Sequence, residues 1–125
     1  MQELVVLEKL SEHNLDEIMQ MDSRDALRRI HLNILNRVLL INSIIVKKEP
    51  DFKNEIDNQE FLKSIKNLER IKAIDRRFHR QLVNFHAERN SILISIEGHS
   101  TNLLFYYESI RIIKRLDAVI FNLIN

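Results

Sequence analysis

The 125-residue chain has no cysteine, one glycine and one proline. Without thiols it can form no disulfide, no thiolate metal site and no cysteine nucleophile. A single glycine excludes the glycine-rich loops that cradle phosphates and leaves no nucleophile elbow for a Ser-His-Asp hydrolase. Hairpins draw on glycine, proline and their turn partners, so a chain this poor in them must be mostly helix. The formal net charge of +1 exerts no global pull toward nucleic acid or a membrane surface. The longest near-apolar run, VLLINSIIV at 38–46, is too short to span a bilayer and contains Asn42. The N-terminus, MQELVVLEKLSEHNLDE, is acidic and lacks the basic start and apolar run of a secretory signal. These absences predict a cytoplasmic protein with no membrane segment.

Hydrophobic residues make up 45% of the chain and charged residues 30%, the balance of one globular domain over residues 1–125. The punctuation predicts four helical segments. The first runs from Gln2 to about Met21 and carries Leu4, Val5, Leu7, Leu10, Leu15 and Ile18. Asp22 and Ser23 then offer an N-cap for a second helix to Lys48. There Leu27, Ile30, Ile34, Val38, Ile41 and Ile45 recur at three and four, the signature of a buried face. Leu32, Leu35, Leu39 and Val46 widen that face. EPDFKNEIDN, at 49–58, holds the proline and reads as a loop, with Asp57 or Asn58 as the next cap and Glu60 in the first turn that follows.

From Gln59 to Glu97 no breaker occurs, and apolar residues from Phe61 to Ile96 keep mostly helical spacing. A straight helix of that length would reach roughly 60 Å, so a kink near Asp75 or Asn90 is allowed. Gly98 suits a helix C-cap, and the last helix starts at Ser100 or Thr101. The predicted fold is an all-α antiparallel bundle of about four helices. SIKNLERIKAI from Ser64 and SIRIIKRLDAV from Ser109 echo one another, which similar packing environments explain.

Charge is uneven. Residues 1–22 carry six acids against Lys9, whereas 63–80 carry seven Lys or Arg against Glu69 and Asp75. On an unbroken helix Lys63, Lys66, Arg70, Arg77 and Arg80 fall close to one face, a stripe that could follow phosphates. No aromatic is interleaved with it, and a long solvated helix looks the same, so nucleic-acid binding is not expected. Asp75 and His79 have ligand spacing, but no second such turn appears and arginines surround them; no metal and no cofactor are expected.

The densest chemistry lies in RRFHRQLVNFHAERN, residues 76–90, with four arginines and two histidines. Within it RQLVNFH, Arg80 to His86, resembles the arginine–histidine motif of the HEPN family of helical ribonucleases and toxins. RDALRRIH, Arg24 to His31, fits the same spacing, with Asp25 matching the polar residue common after that arginine. Gln81 departs from the pattern. The resemblance implies a metal-independent ribonuclease in which Arg80 stabilises phosphate charge and His86 moves a proton at a dimer cleft.

The last helix, TNLLFYYESIRIIKRLDAVIFNLIN, ends in eight residues without a charged side chain. Chain ends usually fray, so a terminus this apolar is expected to dock, in the chain's own core or on a partner. The candidate partner-binding residues are Leu103, Tyr106, Tyr107, Ile110, Ile113, Val119, Ile120 and Leu123. IKAIDRRFHRQLVNFHAERNSIL leading into NLLFYYESI looks like the flagellar and type III export chaperones. That resemblance implies a non-catalytic bundle that holds an export substrate by its C-terminal helical region, and it has no diagnostic motif from which residue roles could be carried over. The sequence thus predicts a protein-binding adaptor, with a protein partner or a second copy on a helical apolar face, as in a homodimer. The arginine–histidine ribonuclease is the alternative.

Overall fold

The computed structural model describes residues 23–51, 60–94 and 103–125. Among them the chain forms four helices and no strand: α1 (Ser23–Lys48), α2 (Phe61–Arg70), α3 (Arg76–Ile94) and α4 (Leu103–Ile124). The protein is an all-α bundle. The segment 2–21, the caps at Asp22, Asp57 and Asn58, and Gly98 lie outside the described residues. Among the described residues the segment expected as one long third helix forms two, α2 and α3.

α1 carries Asp25 in its first turn and Lys47 and Lys48 in its last, both matched to the helix dipole. It stops just ahead of Pro50, which disfavours helical geometry in the residue before it. The whole predicted stripe from Leu27 to Ile45 is buried, while Leu32 from the second stripe is exposed. By length and composition Arg24–Lys48 could cross a membrane, which the shorter run read from the sequence did not suggest. In the fold its apolar face is the bundle core, and Asn33, Arg37 and Asn42 are buried beside it.

The break between α2 and α3 is a Schellman motif. The Ala73 N–H donates to the Leu68 carbonyl at 2.8 Å and the Lys72 N–H to that of Glu69 at 2.9 Å. Lys72 sits at φ 64°, in the left-handed region where glycine is the usual occupant. Asp75 then caps α3, its Oδ1 accepting the Phe78 N–H at 2.7 Å. His79 Nδ1 lies 2.9 Å from Glu69 Oε1, tying the first turn of α3 to the last turn of α2. Glu60 stands at the N-cap of α2 instead of inside its first turn, without a side-chain cap bond.

The run α2–α3–α4 is antiparallel: Phe61 meets His86 while Glu69 meets His79, and Phe85 meets Phe105 while Gln81 meets Arg115. α1 and α4 instead run in the same direction, with Arg37 on Asp117 and the Lys48 ammonium on the Leu123 carbonyl. A line of rings joins the layers. Phe61 meets Phe85 edge-on at 6.5 Å, Phe85 stacks on Phe105 at 5.5 Å, and Phe105 meets Tyr106 at 6.0 Å. The sequence echo has a packing basis: Ser64, Ile65 and Leu68 are buried in α2 as Ser109, Ile110 and Ile113 are in α4.

Candidate functional site

α3 presents two different surfaces. On one side Arg77, Arg80, Gln81, Asn84, Phe85 and Glu88 face α4 across a groove of about 410 Å³. Leu104, Phe105, Glu108 and Ile112 form its other wall. Phe85, Phe105 and Ile112 are core residues whose edges make an apolar floor, and Leu104 stands on the rim at 67% exposure. The charges on the α3 rim are ordered, arginines at 77 and 80 and a glutamate at 88. Below the groove Arg115 lies 4.3 Å over the Phe78 ring and donates to Gln81 Oε1 at 2.6 Å, which fixes the two helices side by side.

The other side of α3 meets α1 and α2 around the Phe61 ring. His86 stacks on that ring at 5.3 Å and 21°, and His31 of α1 is tilted against it at 5.9 Å. Burial lowers the His31 pKa to about 4, and the charges of Arg89 and His86 push it the same way. Burial and Arg89 also lower His86, while Glu60 acts in the opposite sense. Burial weakens the hold of Arg89 on its proton. Both imidazoles are therefore neutral near pH 7. His31 Nδ1, His86 Nδ1 and Arg89 Nε are buried with no hydrogen-bond partner among the described residues.

Several residues singled out from the sequence are redistributed by this fold. Arg80 lines the groove, whereas His86 stacks on Phe61, so within one chain the two lie on different sides of α3. The two histidines of the paired motifs, His31 and His86, share the Phe61 ring, and the charge of Arg89, which neither motif includes, acts on both. The basic stripe is divided: Lys63, Lys66 and Arg70 are exposed on α2, Arg77 and Arg80 on α3, and the turn at 71–75 separates them.

In α4, Tyr106, Ile110, Ile113 and Ile120 are core residues and so unavailable to a partner, and Val119 and Leu123 pack against that core. Tyr107 remains exposed, as do Phe121 and Ile124 at 65% each. Leu103 opens the helix. Among the described residues no group of three His, Cys, Asp or Glu side chains could hold a metal ion. Comparison with family models, with curated proteins and with solved structures returned no match to the chain.

Proposed function

We propose that this chain is a non-catalytic, cytoplasmic adaptor that takes an amphipathic helix of a partner protein into the α3–α4 groove. The observation that carries the reading is the groove itself: an apolar floor from Phe85, Phe105 and Ile112, an exposed Leu104, and an α3 rim with its charges in order, faced by Glu108 on the α4 wall. From Arg77 to Glu88 is roughly 16 Å along α3, three turns of helix. A guest helix of that length places apolar side chains at i, i+3, i+4 and i+7 on the floor. Its acidic end lies over Arg77 and Arg80 and its basic end near Glu88, and this polarity sets its direction and raises its on-rate. The binding surface thus differs from the α4 stripe read from the sequence, which the core uses.

The test begins with affinity purification of the tagged chain after nuclease treatment. The client's helix, made as a labelled peptide, is then titrated against the wild type, Leu104→Glu, Arg80→Glu and a Phe121→Ser control. Both groove variants should weaken binding at least tenfold while the control does not. Client binding that survives Leu104→Glu and Arg80→Glu unchanged rejects the groove, and a bare homodimer without client moves the assignment to self-association. The separation of Arg80 from His86 gives no support to the ribonuclease alternative. Purified protein should leave RNA intact across pH and salt; cleavage abolished by His86→Ala would reverse that ranking.

A further inference from the structure

The cluster at Phe61 has an arrangement that the adaptor reading does not use. Its polar groups come from two helices, His31 from α1 and His86 and Arg89 from α3, and the Phe61 ring of α2 holds both imidazoles. Three buried nitrogens of this cluster, His31 Nδ1, His86 Nδ1 and Arg89 Nε, have no hydrogen-bond partner among the described residues. Buried polar groups are nearly always satisfied, so three orphans in one place call for a common cause.

Their chemistry is of one kind. The guanidinium Nε–H can only donate. His86 Nε2 lies 3.4 Å from Asn90 Nδ2; with that amide donating, the imidazole proton resides on Nδ1 and His86 also donates inward. His31 Nδ1 donates or accepts according to its tautomer, and in the Nδ1–H form it is a third donor. The carboxylate that acts on the cluster is Glu60, which is exposed at the start of α2 with Lys63 Nζ at 3.8 Å from its Oε2. Donors in one cluster, one of them a guanidinium, suit an acceptor bearing negative charge and oppose a cation. A carboxylate has two oxygens to offer; a phosphate group has three or more, in a compact shape.

We propose that the His31–His86–Arg89 junction binds a compact oxyanion of the phosphate class, held by the two imidazoles and the guanidinium with Phe61 as the apolar wall. All three side chains are half-buried, so part of each reaches the bundle surface although the three nitrogens do not. Free phosphate and the phosphate of a mononucleotide share this chemistry. The charged and titratable groups facing the site are His31 from α1, Glu60 from α2, and His86 and Arg89 from α3.

The experiment follows the ring signals of the histidines by NMR in the full chain. Inorganic phosphate, a nucleoside 5′-monophosphate or acetate is added at matched ionic strength. Phosphate should move the His31 and His86 signals saturably and raise their titration midpoints, leaving His79, which pairs with Glu69, unaffected. Arg89→Gln should abolish the response and Arg89→Lys weaken it at least tenfold, each variant being checked for native helicity. Tighter binding of the nucleotide identifies that source, and equal or tighter binding of phosphate identifies the free ion. Equal displacement of all the histidines, a response that persists in both Arg89 variants, or acetate matching phosphate overturns the assignment.

Discussion

The Asp117→Asn substitution tests whether the α1–α4 pair is held by a buried cation. The Arg37 side chain is 2% exposed, and its Nε donates to Asp117 Oδ1 at 2.7 Å, while Asp117 itself is 47% exposed. The Arg37 Nη1 also donates to the Asn33 backbone and side-chain oxygens, each at 3.1 Å. Removing the carboxylate takes away the counter-charge that Asp117 supplies to a guanidinium held out of water, while the neutral Asn33 oxygens still accept from Nη1. Breaking a fully buried pair costs about 3–5 kcal/mol. Water reaches one side of Asp117 and screens the pair, so about 2–3 kcal/mol is expected. Urea unfolding followed by helical circular dichroism measures the loss as a lower midpoint at unchanged slope. The Glu108→Gln variant removes an exposed pair to Arg111 at 3.5 Å and should cost less than about 0.5 kcal/mol. Raising the salt should shrink the second effect more than the first. If Asp117→Asn costs no more than Glu108→Gln, the guanidinium is solvated in solution and the account of the α1–α4 contact fails.

Lys72→Gly should raise stability by about 0.5–1 kcal/mol in the same urea assay, because Lys72 holds φ 64° at the Schellman position; a loss would mean that the left-handed turn is not populated. Stability should also fall as pH drops from about 6.5 to about 4, since the unfolded chain takes up the His31 proton before the folded one does. The full shift corresponds to about 3 kcal/mol, and water at the half-buried ring reduces this to about 1–2 kcal/mol. His86 adds in the same direction. His31→Leu should flatten the wild-type profile across that window, and parallel profiles for the two proteins would refute the assignment.

Much of the fold was legible because burial follows period. The stripe Leu27–Ile45 and the residues Phe61, Ile65, Leu68, Ile74, Phe78, Leu82 and Phe85 are buried where the three- and four-residue spacing put them. The break at 71–75 was only half legible. Asp75 is a good cap residue, and a kink there was foreseen, but a full turn reverses the chain and the left-handed position that makes it is filled by Lys72. With the single glycine at 98, nothing at 72 marked the turn. The apolar spacing runs through it because Ile71 and Ile74 still pack against the core from the turn.

Site residues were harder to read for a reason that also favours the groove over the α4 stripe. A helical apolar stripe has the same period whether it meets the chain's own helices or another protein's. Tyr106, Ile110 and Ile113 carry the strongest stripe in α4 and for that reason are core. Of the apolar side chains of α4 that stay exposed, the off-stripe Leu104 is the one that lines the groove against α3. The histidines follow the same logic. Each motif match paired a histidine with an arginine on its own helix, because sequence spacing registers only one helix at a time. Packing α1 and α3 around Phe61 put His31 and His86 on one ring and brought both within the field of Arg89, one turn after His86. The local signal available was two histidines bordering buried stripes, His31 next to Ile30 and His86 next to Phe85, each with a polar edge that the core alone does not satisfy.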